Sequence, residues 1–125
     1  EQKREAQPQG KGMASRAVEK RQDALEAELE RIRKYAQMDP SIRQILVFGS
    51  YATGEVHEWS DLDLVIIQET EASFLDRSLN LVRAIKPKVG MQLLVYTPEE
   101  IEELLQRPFF RYEILAKGRV LPMDP

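Results

Sequence analysis

Ile45-Leu46-Val47-Phe48-Gly49-Ser50, the ten residues Tyr51–Ser60, and then Asp61-Leu62-Asp63-Leu64-Val65-Ile66-Ile67 form the stretch whose reading decides the fold. Its two apolar runs are short and rich in β-forming residues, so each reads as a buried strand. The first ends at Gly49-Ser50 and the second covers Asp61–Gln68. Side chains alternate across a strand, so Asp61 and Asp63 leave from one face, about 6.6 Å apart along the chain. Leu62 and Leu64 then point the other way, into the core. Two carboxylates at this spacing repel each other unless positive charge lies between them. A purely oxygen ligand set, with no His or Cys, favours Mg²⁺ or Mn²⁺ over zinc.

If the two strands pair antiparallel, Gly49-Ser50 lies beside the start of the second. A glycine there lets the backbone approach a ligand closely. The Ser50 hydroxyl and the free N–H groups of the turn suit phosphate oxygens. Phosphate donors then face metal-binding carboxylates, the arrangement that a metal–nucleotide complex needs. The polar connection Tyr51–Ser60 is longer than a hairpin loop, a length that often signals function.

Outward from this stretch the pattern is mixed helix and strand. Ser15 is a plausible helix cap, and Val18, Leu25, Leu29, Ile32 and Ala36 then make one apolar stripe that Asp39-Pro40 stops. Beyond the second strand, Leu75, Leu79, Val82 and Ile85, with Phe74 alongside, mark an amphipathic helix ending before Pro87. Met91–Tyr96 reads as a third strand. Thr97-Pro98-Glu99-Glu100 is a helix start with a cap, a proline in the first turn and a capping box. Ile101, Leu104 and Leu105 face the core, and Pro108 breaks this helix. A last helix covers about Phe109–Lys117 and ends at Gly118, and residues 119–121 suit an edge strand.

The crossover helix makes the second and third strands parallel neighbours. The expected fold is α/β (α+β), a small mixed sheet with flanking helices. Residues 1–13 read as a flexible tail or a remnant of added sequence, 14–121 as the domain, and 122–125 as a second tail.

Phe48-Gly49-Ser50, the ten-residue connection and Asp61-Leu62-Asp63 together resemble the signature of the DNA polymerase β nucleotidyltransferase superfamily, specifically its minimal nucleotidyltransferase branch. The helix before the first strand, the segment Leu93–Glu100 and the closing Gly118-Arg119-Val120-Leu121 look similar too. The likeness covers roughly residues 24–121. It implies transfer of a nucleoside monophosphate, AMP from ATP or from another NTP the corresponding nucleotide, onto a hydroxyl. In that reading Asp61 and Asp63 are the catalytic, metal-binding acids, and Gly49 and Ser50 bind the nucleotide. It also implies a partner of the HEPN type, with the nucleotidyltransferase acting as antitoxin and a hydroxyl of the partner as acceptor.

The sequence departs from that branch at three positions. Gln92 stands where family members usually carry a third carboxylate near the start of the third strand. A glutamine offers a carbonyl ligand but cannot act as a base. Tyr51 and Thr53 stand where arginines often follow the Gly-Ser pair. The alternative reading is therefore a catalytically impaired binding module, an antitoxin or scaffold that keeps the fold.

Composition sets the outer limits. The 125 residues suit one domain, and 42% hydrophobic with 31% charged residues is an ordinary globular balance. There is no cysteine, which excludes disulfides and thiolate metal sites. The formal net charge is −3, so no basic excess announces long nucleic acid. No apolar run is long enough to span a bilayer, and no basic-then-apolar leader opens the sequence. A cytoplasmic protein with a nucleotide as ligand is the expectation, and an oligomer is compatible. His57 and Trp59 read as loop residues, solvated and packed respectively, with Glu58 or His57 as a substitute base in a minor reading. Phe109 and Phe110 read as core or partner contacts.

Overall fold

The computed structural model describes residues 13–123. Nearly all of the expected leading tail and the last two residues lie outside the described residues. In chain order the elements are α1 (Met13–Gln37), β1 (Ile42–Phe48), α2 (Gly49–Thr53), β2 (Leu62–Gln68), α3 (Phe74–Ile85), β3 (Met91–Tyr96) and α4 (Pro98–Leu104). A turn of helix at Pro108–Phe110 then widens into a π-helix at Arg111–Ala116, together called α5, and β4 (Arg119–Val120) closes the order.

The four-stranded sheet has the order β3-β2-β1-β4. β1 pairs antiparallel with β2, placing Phe48 opposite Asp63. β2 pairs parallel with β3, placing Asp63 opposite Gln92. β4 pairs antiparallel with β1 through Leu46–Val120 and Val47–Arg119. The mixed sheet expected from the sequence is therefore present, with β2 buried between neighbours on both sides.

Alternation along the strands divides the core in two. Ile45, Val47, Leu62, Leu64, Ile66, Leu93 and Val95 pack with Leu25, Leu29, Ile32 and Ala36 of α1 and with Leu81 and Ile85 of α3. On the opposite face Leu46 and Val65 meet Phe110 and Ile114 of α5, with Ile101 and Leu104 of α4 and its capping residue Leu105 packed around them. Helices thus cover both faces.

Polar clamps hold the helices. Glu28 of α1 is buried, accepting from Arg31 at 2.6 Å and from the Lys88 N–H at 2.8 Å, while Arg31 also donates to the Ile85 carbonyl at 2.7 Å. Buried Arg77 of α3 donates to the Val95 carbonyl and, through both terminal nitrogens, to Glu100 of α4. The capping box at Thr97 and Glu100 forms as expected. Glu100 titrates below the usual carboxylate range because Arg77 donates to it and the Thr97 N–H adds a further bond.

Three expectations need correction. Ser15 lies inside α1, which starts at Met13, so it is not the cap. The spacing of apolar residues found α3 but not its core side: Arg77, Leu81 and Ile85 are buried, whereas Leu75, Leu79 and Val82 are exposed. Trp59 does not pack its loop down, being 74% exposed.

Candidate functional site

The strand register brings the expected residues to one end of the sheet. Phe48, Asp63 and Gln92 stand side by side on the α5 face of β1, β2 and β3. Asp61 lies one residue before β2 and is exposed, while Leu62 and Leu64 point into the main core, fully buried. Asp61 and Asp63 thus share a face, as alternation requires.

Each carboxylate sits against a glycine. A Cβ on Gly49 would lie 2.1 Å from Asp63 Oδ2, and one on Gly90 would lie 2.2 Å from Asp61 Oδ1. Gly49 also has φ 75°, a left-handed conformation that favours glycine. The chain leaves β1 there and turns directly into α2, so part of the expected ten-residue loop is a short helix. Gly90 was not singled out in the sequence. Only the register of β3 against β2, with the Leu62 N–H donating to the Gly90 carbonyl at 2.9 Å, shows its place under Asp61.

Ser60 anchors the connection. It is 2% exposed, and its hydroxyl oxygen accepts from the Ser50 hydroxyl at 2.9 Å and from the His57 N–H at 2.8 Å. One buried serine thus fixes the Gly-Ser turn to the residue preceding Asp61. Arg21 of α1 ties the same loop down by donating to the Glu58 carbonyl at 3.1 Å.

Beside the carboxylates lies an open cleft of about 620 Å³. One wall is Gly49, Ser50 and Thr53, the floor is Phe48, Gln92 and Leu94, and the far wall is Phe109, Glu113, Ile114 and Lys117 of α5. Glu55 and His57 stand at its rim. Phe110 is buried in the core, whereas Phe109, 77% exposed, faces this cleft. Glu58 belongs to a different depression, beside Lys20, Arg21 and Lys88. His57 Nδ1 accepts from the Trp59 N–H at 3.3 Å, so that lone pair is engaged. Glu58 therefore stands away from this cleft, whereas His57 lines it.

Charge is the dominant feature. Burial, and then the neighbouring Asp61 charge, push Asp63 above the usual carboxylate range. A cation would relieve both causes. Two carboxylates with nucleotide phosphates completing the sphere is an ordinary donor set for Mg²⁺, so these residues fit such an ion. Among the described residues no third His, Cys, Asp or Glu joins the pair. Tyr51, at a position expected to weaken phosphate binding, packs against the α1 side, its ring beneath Arg119 and its hydroxyl pushed upward in pKa by burial and Glu26. The cation that does line the cleft is Lys117, paired with Glu113 at 3.0 Å.

Among the described residues no helix is long and apolar enough to cross a membrane.

Known proteins with related sequences agree with this architecture. A candidate protein adenylyltransferase of Methanocaldococcus jannaschii is 31% identical over 83 residues, covering 64% of this chain and 78% of that protein. The crystal structure of a candidate nucleotidyltransferase from Sulfolobus solfataricus superposes with a TM-score of 0.55 at 22% identity, covering 74% of this chain and 83% of that one. A crystal structure of a toxin–antitoxin with AMP-PNP superposes with a TM-score of 0.50 at 19% identity, covering 77% and 73%. Residues 30–123 match the family described as polymerase beta, nucleotidyltransferase, which is most of the chain, and the protein belongs to that family.

Proposed function

We propose that this protein transfers a nucleoside monophosphate, AMP from ATP, to a hydroxyl on a partner protein. The observation that carries the reading is the seating of Asp63 directly against Gly49, with Asp61 beside it and the Gly-Ser turn pinned by Ser60. In this reading Asp61 and Asp63 hold Mg²⁺ or Mn²⁺, and Gly49 and Ser50 hold the phosphates. When bound, the cation supplies charge neutralisation for the phosphates.

The chain's own residues do the positioning. Gly49 lets the Asp63 carboxylate close directly on the Gly-Ser turn, since a Cβ there would lie 2.1 Å from Asp63 Oδ2. The hydroxyls of Ser50 and Thr53 line the same wall. Lys117, released from Glu113, is the cation across the cleft that the missing arginines would otherwise supply. The acceptor oxygen attacks the α-phosphorus, the bond to the β-phosphate oxygen breaks, and pyrophosphate leaves. Gln92 cannot take the acceptor proton. Glu55 and Glu113 are the carboxylates lining the cleft, and the proton goes to one of them or to water.

Several points support a protein acceptor. The relative from M. jannaschii is described as a protein adenylyltransferase, and one structural neighbour is a toxin–antitoxin holding AMP-PNP. The resemblance to the minimal branch adds a HEPN-type partner. A second reading, a binding module without turnover, is favoured by one observation: Gln92 is the immediate β3 neighbour of Asp63.

Calorimetric titration of ATP with Mg²⁺ tests the site. Binding in the wild type that disappears in Asp61→Asn/Asp63→Asn supports the transferase reading. Binding without any transfer of labelled AMP to a co-purified partner supports the module. No nucleotide binding at all removes the first reading.

A further inference from the structure

The side of α3 that faces away from the core is apolar. Leu75, Leu79 and Val82 are 72%, 48% and 40% exposed, although α3 already buries Leu81 and Ile85 on its inner side. At about 100° per residue the three lie within roughly 60° of one another, so they form one stripe along the helix. An exposed stripe of large aliphatic residues is costly in water and marks a contact surface.

The charges around the stripe state what fits it. Asp76 and Arg83 lie on the same flank, about 20° apart around the axis. Glu71 precedes the helix and Lys86 caps its end, and all four residues are exposed. None of the four side chains has a hydrogen-bond or salt-bridge partner among the described residues. Acids at the N-terminal end and bases at the C-terminal end also suit the helix dipole, so the charges alone prove nothing. Their register about Leu79 is more specific. In an antiparallel pairing centred on Leu79, Leu79 meets its own copy and, to within one residue along the axis, Asp76 meets Arg83, Glu71 meets Lys86 and Leu75 meets Val82. Residues on one flank of an antiparallel helix pair face each other, which is where Asp76 and Arg83 lie. A parallel copy would set Asp76 and Arg83 against the opposite flank, near Ser78, and leave both without a partner of opposite charge. A membrane surface would call for basic flanks on both sides of the stripe.

We propose that the α3 stripe is the interface of a two-fold symmetric dimer of this chain. It is an isologous contact, the same patch on both copies. A single helix stripe is smaller than the standard interface of about 1,600 Å². The dimer therefore forms in the micromolar range and exchanges readily. The two clefts, which lie on the α5 face of the sheet while α3 covers the other, stay open in it.

Sedimentation equilibrium across the micromolar range tests this on the intact chain. The average mass should rise from 14.5 kDa toward twice that value. Leu79→Lys places like charges on the symmetry axis and should hold the chain monomeric at every concentration, with an unchanged circular dichroism spectrum. Asp76→Arg should weaken association by about tenfold, because it sets like charges face to face. The exchange Asp76→Arg/Arg83→Asp should restore it. A wild type that stays monomeric overturns the proposal and leaves the stripe to a different protein. A dimer that ignores Leu79→Lys overturns it as well. A dimer broken by Leu79→Lys but not restored by the charge exchange rules out the antiparallel register.

Discussion

The carboxylate of Asp63 occupies the space that a side chain at Gly49 would need, 2.1 Å from where that Cβ would lie. Gly49 of the Gly-Ser turn and Asp63, the metal ligand proposed above, are therefore sterically coupled. Gly49→Ala should displace Asp63 and strain a backbone held at φ 75°. The expected costs are about 1–3 kcal/mol in urea denaturation and loss of ATP binding in calorimetry. Gly54→Ala is the control. Gly54 has φ 81° but open space around it, so it should show strain of about 1 kcal/mol and intact binding.

Asp63 should make stability depend on pH in a definite direction. Its folded pKa is raised by burial and then by Asp61. A raised acid pKa means that the folded state holds the proton more tightly than the unfolded state. The stabilising effect of that proton is full below the ordinary Asp range and is lost as pH rises through the folded value. Asp63→Asn should thus raise the urea midpoint at neutral pH, with the gain vanishing in acid. The same variant should lose Mg²⁺-dependent ATP binding. A midpoint that falls at neutral pH would contradict the assigned cause.

Ser60 should matter out of proportion to its size. Ser60→Ala removes the acceptor of both the Ser50 hydroxyl and the His57 N–H. It should cost about 1–2 kcal/mol in denaturation. Loosening of the Gly-Ser turn should also weaken ATP binding, read by calorimetry. Ser60→Thr keeps the hydroxyl and should recover part of both.

Gln92→Asp should separate an impaired enzyme from a module. A third carboxylate beside Asp63 adds repulsion, so the nucleotide-free protein should melt lower. With Mg²⁺ and ATP present, transfer of labelled AMP to the partner should rise by about 10²-fold if a missing base limits the rate. Unchanged transfer would show that the limit lies elsewhere.

Much of this was legible in the chain because local rules and tertiary packing agree. The runs Ile45–Phe48 and Leu64–Ile67 are strands in both readings, since β-branched residues between turn signals suit a buried sheet. The Thr97–Glu100 capping box needs only residues three apart, and it forms where expected. The pair Asp61 and Asp63 follows from strand alternation alone.

The rest depends on contacts that no local pattern encodes. Gly90 acquires meaning only through the register of β3 against β2. Ser60 looks like any loop serine until Ser50 and His57 converge on it. Helix α3 is the sharpest case. Its apolar spacing is genuine, yet burial of Arg77 against Glu100 and the Val95 carbonyl turns the Leu75–Leu79–Val82 side to solvent. A buried arginine with satisfied donors can outweigh the hydrophobic pattern in fixing a helix's rotation.

The uneven division of the core has a consequence for substrate choice. Among the described residues, the face beneath α1 and α3 rests on fourteen that are buried, whereas the face beneath α5 rests on four, Leu46, Val65, Phe110 and Ile114. The return strand β4 adds only two pairings, and its entry at Gly118 leaves no room for a Cβ, which would lie 2.2 Å from the Ile114 carbonyl oxygen. The cleft accordingly lies between the well-backed sheet on one side and, on the other, the thinly backed α5 segment with Phe109, Glu113 and Lys117. In the transfer proposed above, nucleotide geometry would be set on the sheet side, where Asp61, Asp63 and the Gly-Ser turn lie. Its acceptor would then meet the α5 side, so a change of target in this scaffold would be sought among α5 residues while the chemistry on β2 stays as it is.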